Sequence, residues 1–346
     1  MDRYGRALAA RLPVDHVEVD LSTTTAGAFG AGARGVQELA RVRRDVGLLR
    51  LLRGRGPLHL ASHHLGRYAN LLAQPCVITA HDAIRLADAR DATNHITRPG
   101  VRDTVWTELD YRGVQRAAAV IAPSAAAKAE LVGRLGLRAA RVFLVPHGVD
   151  LDVFRPDGRP PLDGPYVLFV GSEHPRKNLA TLLYAIADLR RRAGMRDLRL
   201  VKVGTPGSSE AEFGAPARAL IRALGLAGGV LLAGEVTDRE LVGWYSGARC
   251  LAMPSRAEGF GLPVVEAMAC GCPVVASTAG ALPEVSGDAA LLVAPDDRRA
   301  LAGALGTFVA DGAARREFRD RGIARARGFS WDATARGTLQ VYEQVA

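Results

Sequence analysis

Lysine, cysteine, aromatic residues and long apolar runs are all scarce in this chain of 346 residues. No apolar run approaches the ~18 residues that a membrane-spanning helix needs. The amino-terminal stretch MDRYGRALAARLPVDH lacks the apolar core of a signal peptide. We therefore expect a cytoplasmic protein rather than a secreted or integral membrane protein.

The four cysteines argue against a metal centre and against a disulfide. Cys270 and Cys272 are separated by one glycine, which is tighter than the usual zinc spacing, and no His or Cys pair nearby completes a site. The sequence therefore predicts reduced, packed thiols at Cys76, Cys250, Cys270 and Cys272, and no metal.

Positive charge is plentiful, and it is almost entirely arginine. The formal net charge is +9, and only three of the 45 basic residues are lysines. A GC-rich genome that favours arginine codons accounts for most of this bias; the alternative is a basic face that contacts anionic lipid or phosphate. Nucleic acid is not an expected partner, because aromatic residues make up only 5% and no basic run is interleaved with them.

The apolar runs alternate with amphipathic helical patterns, which is typical of a parallel α/β architecture. The length favours two domains. The segment HGVDLDVFRPDGRPPLDGPY has prolines, glycines and aspartates but no periodicity, so it is the best boundary. We place the domains at residues 1–155 and 162–328, with a C-terminal helix at 329–346. Such domains predict a cleft between the carboxyl ends of their strands, where open parallel sheets bind ligands.

Two helices have strong local signals. Thr237 and Glu240 have the spacing of a capping box. A second helix follows Asn178, a candidate N-cap, and has one apolar stripe that consists of Leu179, Leu182, Leu183, Ile186 and Leu189.

The segment VGSEHPRKN predicts an anion site. A strand ends at Gly171, a short turn presents Arg176 and Lys177, and a helix begins near Asn178. Backbone N–H groups at a helix N-terminus favour negative charge, arginine can hold a diphosphate through paired donors, and lysine adds a point charge. The alternative is a solvated basic turn.

The segment AEGFGLPVVEAM predicts a ligand-binding loop that runs into a helix. The glycines at 259 and 261 let backbone N–H groups approach a ligand closely. A helix that starts at Pro263 would place Glu266 in its first turn, where a carboxylate is favoured and could accept from both ribose hydroxyls. Glu258, on the loop, would lie nearer the cleft. The alternative is an ordinary helix acid beside a surface loop acid.

Taken in order, the runs VGSEHPRKNLATLL, PSRAEGFGLPVVEAMACGCPVVAS, GALPEV and DAALLVAPDD resemble family-four retaining glycosyltransferases of the GT-B fold, with a Glu-x7-Glu pair and a PRKN segment. The resemblance covers the whole chain and is densest in its second half. It implies two Rossmann-like α/β domains that face a cleft, an N-terminal acceptor-binding domain and a C-terminal nucleotide-sugar-binding domain. The implied activity moves a sugar from a nucleotide-diphosphate sugar to a hydroxyl acceptor, with retention and without a metal or other cofactor.

The resemblance also assigns roles to individual residues. Glu266 would hold the donor ribose, and Arg176 and Lys177 would neutralise the departing diphosphate. Glu258 would act on the transferred sugar as a catalytic residue, with a donor-binding segment made of Gly259, Phe260, Gly261 and Leu262. Many relatives carry an arginine directly after the strand-ending glycine, where this chain has Ser172, so Arg176 would carry more of the diphosphate's charge.

In the first half, CVITAHDAIRL resembles the family's strand and loop that bear a histidine near the sugar. His81 is therefore the second candidate catalytic residue, with Asp82 beside it. The residues alone favour a helix-capping His–Asp pair at this position. Together with PRKN, the segment is reminiscent of mannosyltransferases and related enzymes that use GDP- or UDP-sugars. The implied acceptors are a glycan, a lipid-linked sugar or a metabolite, and the basic charge favours peripheral contact with the anionic inner membrane face.

The start of the chain departs from the family pattern. MDRYGRALAARL resembles the helix that follows the family's first strand and glycine-rich loop, so we expect that strand and loop to be missing. This expectation raises an alternative function, a non-catalytic partner subunit that binds a nucleotide sugar but lacks a complete N-terminal domain.

Overall fold

The computed structural model describes residues 3–12, 45, 47, 57–72, 74–90, 96, 99–157, 160–205 and 214–345. The chain divides into two compact units. Unit 1 comprises Met1–His147 and Trp331–Ala346, and unit 2 comprises Gly148–Ser330. A strand that the sequence suggests at HVEV, residues 16–19, lies outside the described residues.

Unit 1 contains a parallel sheet whose described strands pair in chain order. These strands are β1 (Leu58–Leu60), β2 (Cys76–Thr79), β3 (Ala119–Ala122) and β4 (Val142–Leu144). The described helices are α1 (Arg3–Ala9), α2 (Ile84–Arg90), α3 (Val101–Arg116) and α4 (Ala125–Leu135), with a 3-10 helix at His63–Asn70. Every residue of β2 and β3 is buried, as expected for a parallel sheet covered on both faces.

Unit 2 contains a parallel sheet with the strand order β10-β9-β8-β5-β6-β7. The strands are β5 (Tyr166–Val170), β6 (Arg199–Val203), β7 (Val230–Gly234), β8 (Cys250–Met253), β9 (Val274–Ser277) and β10 (Ala290–Val293). The helices include α5 (Leu179–Arg190), α6 (Ala215–Ala223), α7 (Asp238–Gly247), α8 (Leu262–Ala269), α9 (Leu282–Ser286), α10 (Arg298–Ala310) and α11 (Gly312–Ala326). The predicted alternation of strands and helices is therefore confirmed in both units.

The two local helix signals are also confirmed. The side chains of Thr237 and Glu240 cap each other's backbone N–H groups at the start of α7. All five leucine and isoleucine residues of the predicted stripe on α5 are buried, because a helix beside a sheet must cover its apolar face.

The C-terminal segment forms helix α12 (Trp331–Glu343), and it packs within unit 1 rather than standing apart. Val341 lies in an apolar cluster with residues of β2 and β3. The hydroxyl of Thr334 donates to the carbonyl oxygen of Pro146 at 2.7 Å. The chain passes between units at 147–148 and 330–331, whereas the sequence placed the boundary near residues 156–161. Val149 and Ser330 pair as a β-bridge inside unit 2, next to both crossings.

Within the part of the chain that the structure describes, no helix is both long enough and apolar enough to cross a bilayer.

Candidate active site

The strand order of unit 2 brings together two loops that are distant in sequence. From β5 the chain proceeds to β6 and β7 on one side, and then returns to β8 on the other side of β5. The loops that follow β5 and β8 therefore leave the same edge of the sheet on either side of a reversal in strand order, which is where open α/β sheets bind ligands. The backbone N–H of Arg256 donates to the carbonyl oxygen of Arg176 at 2.7 Å.

Asn178 ties these loops together at the start of α5. Its φ of 58° places it in the left-handed region, which asparagine tolerates better than most residues. It occupies the predicted N-cap position, but its side chain makes no capping hydrogen bond. Instead, Nδ2 donates to the carbonyl oxygens of Pro254 at 3.1 Å and Pro295 at 2.7 Å. Asn178 therefore ties the start of α5 to the loops that follow β8 and β10.

Glu258 meets both cations of the PRKN segment. Its Oε1 lies 2.5 Å from Lys177 Nζ and 3.2 Å from an Arg176 guanidinium nitrogen. The side chains of Glu258 and Lys177 are only 8% and 11% exposed, so this is not the solvated basic turn of the alternative interpretation. The structure thus joins three of the candidate residues into one charged cluster, which we call the Glu258 cluster.

The charge state of the Glu258 cluster follows from its surroundings. Burial by itself would raise the pKa of Glu258, but Lys177 and Arg176 outweigh burial and hold the pKa below its ordinary value. Glu258 is therefore ionised at neutral pH and compensates part of the positive charge of the two cations. An anionic group that binds these cations must compete with the carboxylate.

Glu266 occupies a different place in its helix from the one that the sequence predicted. Gly261, with a φ of 99°, is the N-cap, and α8 begins at Leu262. Glu266 is therefore the fifth helical residue and lies beyond the first turn, so the expected stabilisation by the helix terminus was wrong. The side chain is instead buried, and the Tyr245 hydroxyl donates to Oε2 at 3.1 Å.

Tyr245 is a site residue that sequence reasoning missed. Burial, and next the nearby Glu266, raise the pKa of Tyr245 well above its ordinary value. The phenol therefore stays protonated and donates to the carboxylate at any working pH. No local pattern marks Tyr245, because the contact joins α7 to α8 across the fold.

The donor-binding segment predicted at 259–262 packs closely against neighbouring side chains. A Cβ on Gly261 would lie 2.8 Å from Leu282 Cδ2, and its positive φ also favours glycine. Phe260 is buried with its ring 5.7 Å from that of Phe329, so its side chain anchors the loop. Gly259 is buried and Leu262 is half-buried at the first position of α8. The backbone of this segment thus has a defined course.

Gly280 is a second position that the sequence analysis missed. A Cβ there would lie 2.3 Å from the carbonyl oxygen of Glu258. That carbonyl also accepts from the N–H of Ala281 at 3.0 Å. The loop after β9 therefore supports the backbone of Glu258 directly.

His81 lies in unit 1, at the carboxyl end of β2. Its Nε2 is 3.0 Å from the carbonyl oxygen of Ala61, and its Nδ1 is 3.0 Å from His147 Nε2. Because a carbonyl only accepts, Nε2 donates to Ala61, and Nδ1 shares a second hydrogen bond with His147 Nε2. The Asp82 carboxylate accepts from the backbone N–H of Ile84 at 3.0 Å. Asp82 therefore caps α2, as the interpretation from the residues alone favoured, while the role of His81 stays a prediction.

His63, beside His81, has a buried imidazole ring. It is 2% exposed, its ring stacks on Tyr111 at 5.3 Å, and neither ring nitrogen has a partner among the described residues. Burial, followed by the charges of His81 and Arg85, lowers the pKa of His63 from 6.5 to about 3. Between these values the unfolded chain binds a proton that the folded chain does not. The free energy of unfolding must therefore fall as the pH falls below 6.5.

We expect His63→Phe to reduce this acid sensitivity. The wild-type protein should lose about 1.4 kcal/mol of stability per pH unit from this one residue between pH 6 and pH 4, and the variant should not. At pH 7.5 the two proteins should be about equally stable, because the replaced nitrogens make no hydrogen bond to any described residue. Urea unfolding at several pH values measures how the free energy of unfolding of each protein changes with pH. An equal change in both proteins would mean that His63 binds a proton in the folded state.

Comparisons with known proteins agree with this geometry. The model of "Glycosyltransferase Family 4" matches residues 3–153, and the model of "Glycosyl transferases group 1" matches residues 164–311. The MMP alpha-(1->4)-mannosyltransferase of Mycolicibacterium hassiacum is 31% identical over 91% of this chain and 72% of its own length. The chain belongs to glycosyltransferase family 4. The finer assignments, the Glu-x7-Glu pair and the PRKN subgroup, stay predictions.

Other similarities place this family 4 chain among its relatives. The D-inositol 3-phosphate glycosyltransferase of Acidothermus cellulolyticus is 34% identical over 78% of the chain and 61% of its own length. The chain thus spans less than two thirds of that relative. Sucrose-phosphate synthase from Thermosynechococcus elongatus has a TM-score of 0.78 at 25% identity, over 99% of this chain and 91% of that one. This similarity and the two Rossmann-like parallel sheets confirm the predicted α/β GT-B fold.

Proposed function

We propose that this family 4 chain moves a sugar from a nucleotide-diphosphate sugar to a hydroxyl acceptor, with retention and without a metal. The observation that carries the proposal is the Glu258 cluster, at the carboxyl edge of the unit 2 sheet where the strand order reverses. Two cations held there are suited to a departing diphosphate, because preorganised charges stabilise charge that develops in a transition state.

In this proposal the acceptor's hydroxyl oxygen forms a bond to the anomeric carbon as the bond between that carbon and the diphosphate oxygen breaks, and the hydroxyl proton passes to the departing diphosphate. Arg176 and Lys177 take up the negative charge that develops on the diphosphate. Glu258, held against them, is placed to act on the transferred sugar, and the backbone of 259–262 forms the adjoining wall. Catalysis then rests on charge stabilisation and placement more than on a strong base.

The proposed role of Glu266 is to bind the ribose of the donor. Its carboxylate is fixed by the Tyr245 hydroxyl at 3.1 Å, so its orientation is set before the nucleotide arrives. Such preorganisation lowers the entropic cost of binding. This arrangement supports a nucleotide site on unit 2.

The comparisons support more than one donor. One relative is named as a mannosyltransferase, whereas a neighbour of the same fold, Anabaena Alr3699/HepE, is described in complex with UDP and glucose at 20% identity and a TM-score of 0.73. GDP-sugars and UDP-sugars are therefore both proposed donors, with a glycan, lipid-linked sugar or metabolite as the acceptor. Membrane contact and the catalytic role of His81 stay predictions.

Thermal unfolding with UDP, GDP, dTDP and ADP tests the donor site. A nucleotide at about a hundred times its dissociation constant adds about 2.7 kcal/mol to the free energy of unfolding. For a unit of this size that should raise the melting temperature by roughly 5–10 °C. We expect one of the nucleotides to produce this shift and the others to produce smaller ones.

Glu266→Gln is the matched control for this experiment. The glutamine keeps the side-chain volume and an oxygen that can accept from Tyr245, but it loses the charge that we assign to ribose binding. The shift should therefore shrink while the unliganded melting temperature changes little. No shift with any nucleotide would contradict the proposal. A shift without sugar transfer to any acceptor would favour the non-catalytic partner subunit.

A further inference from the structure

A buried lysine lies in strand β6 of the unit 2 sheet, between β5 and β7, where a strand residue is normally apolar. Lys202 belongs to β6 and pairs in register with Phe169 of β5 and Leu232 of β7. Its side chain is only 1% exposed. A charge buried this deeply requires partners, and it has them. Nζ lies 2.7 Å from Glu173 Oε1 and donates to the carbonyl oxygens of Gly204 at 2.6 Å and Thr205 at 3.0 Å.

Glu173 is equally unusual for a loop residue. Its side chain is 5% exposed, and its Oε2 is buried with no hydrogen-bond partner among the described residues. Replacing a buried ion pair by apolar side chains of similar volume is often neutral or stabilising. The stability of the fold therefore gives no sufficient reason for this pair, and its position suggests another one.

The pair lies between the loops that follow β5 and β6. Gly171 donates its N–H to the carbonyl oxygen of Val203 at 2.9 Å. A Cβ on Gly204, whose φ is 114°, would lie 2.8 Å from the carbonyl oxygen of Gly171. The two loops thus touch at these glycines, and the bond between Glu173 and Lys202 continues the contact toward the PRKN segment.

The loop that Glu173 belongs to presents both cations of the Glu258 cluster. It runs from Gly171 into the 3-10 turn Pro175–Lys177. His174 caps this turn, because its Nδ1 accepts from the N–H of Arg176 at 3.2 Å. Asn178 holds the far end of the turn, as described above. The ion pair is therefore the fixed point on the near side, immediately before the capping residue.

We propose that Lys202 and Glu173 are positioning residues that set the course of the loop carrying Arg176 and Lys177, and thereby the affinity for the donor diphosphate. Neither residue touches the ligand in this proposal. It rests on the proposed function, because it gives the two cations a diphosphate to hold. It goes further by assigning a role to Lys202, which lies outside the motifs that indicate the family, and to Glu173, which those motifs leave without a role.

The decisive variant is Glu173→Leu/Lys202→Met, which removes both charges and keeps similar volumes. Single replacements by apolar residues leave an uncompensated buried charge and would confound folding with function. The nucleoside diphosphate among UDP, GDP, dTDP and ADP that stabilises the parent is then used as the probe, together with its nucleoside. The nucleoside lacks the diphosphate, so it does not reach the two cations in this proposal.

We expect the dissociation constant of the double variant for the nucleoside diphosphate to rise about tenfold or more. Its dissociation constant for the nucleoside should stay unchanged, and its melting temperature should not fall. In a Lys177→Met background the same double change should raise the dissociation constant for the nucleoside diphosphate by less than about threefold, because the pair then has one cation fewer to position. A purely structural role would weaken both ligands together or lower the melting temperature without any selective loss, and either result would overturn the inference.

Two further variants complete the test, one as a control and one as a milder replacement. Asp188→Asn/Arg298→Gln removes an exposed ion pair of the same unit and should leave both dissociation constants unchanged. Glu173→Gln keeps an acceptor for Lys202 and should show a smaller loss of the same selective kind, which provides the answer if the double variant does not fold. A parent protein that binds none of the four nucleotides would contradict the proposed function and this inference with it. A parent that binds one of them while the variants show no selective loss would contradict this inference alone.

Discussion

Replacing Lys177 by methionine is expected to lower the turnover number for sugar transfer by about 10²–10³-fold, the usual cost of removing one preorganised group that stabilises developing charge. Lys177 Nζ lies 2.5 Å from Glu258 Oε1 and is largely buried, so its charge acts where water screens it little. Without it, the departing diphosphate retains only Arg176 of the cluster. Steady-state kinetics with the donor identified by thermal unfolding measure the loss.

Lys128→Met is the control for this prediction, because it removes a lysine of unit 1 that belongs to no candidate site. Its turnover number should remain within about twofold of the wild type, as is usual for changes away from a site. Lys177→Arg should recover part of the lost rate because it restores the charge, although the geometry differs. If Lys177→Met and the wild type turned over equally fast, the assigned role of the cation in the leaving-group step would be wrong.

Replacing Glu258 by glutamine is expected to move binding and catalysis in opposite directions. In the wild-type protein the Glu258 carboxylate compensates part of the charge on Lys177 and Arg176. Glutamine removes that competition, so nucleoside diphosphates should bind severalfold more tightly. Sugar transfer should nevertheless fall by about 10²-fold or more, because the residue that acts on the sugar has lost its charge. Calorimetric titration and initial rates on the same protein provide both numbers.

The pH dependence of the free energy of unfolding reports the charge of Glu258 in the folded protein. Its pKa is held below 4.5 in the folded protein, so the stabilisation from its charge is fully present above pH 4.5 and is lost as the pH falls through the lowered value. The stability difference between wild type and Glu258→Gln should therefore narrow under acid conditions. Glu317→Gln, in an exposed pair on α11, is the matched control. Weaker nucleotide binding by Glu258→Gln would show that the carboxylate organises the cations rather than competing for them.

Local patterns in the sequence were sufficient for the architecture. The alternation of strands and helices, the apolar stripe of α5 and the capping box at Thr237 were predicted correctly. Each depends on residues a few positions apart, whose periodicity and backbone preferences act within one element. The order of the motifs was likewise sufficient to indicate the family.

Contacts within unit 2 changed the details of the candidate site. Glu258 and Arg176 are 82 positions apart in sequence, and only the reversal of strand order makes them neighbours. Glu266 moved out of the first turn of its helix because Gly261 adopts a left-handed conformation and α8 begins at Leu262. Tyr245, which fixes the Glu266 carboxylate, carries no local signal.

By itself, then, the sequence determined which segments form strands, helices and loops, because hydrophobic periodicity and turn chemistry act locally. The tertiary structure decided which charges meet. It paired Glu258 with Lys177, buried Lys202 against Glu173 and placed the C-terminal helix in unit 1. The physical reason is the same in each case. A charge or an apolar face is stabilised by whatever the fold brings against it, and that partner is set by strand order rather than by distance along the chain.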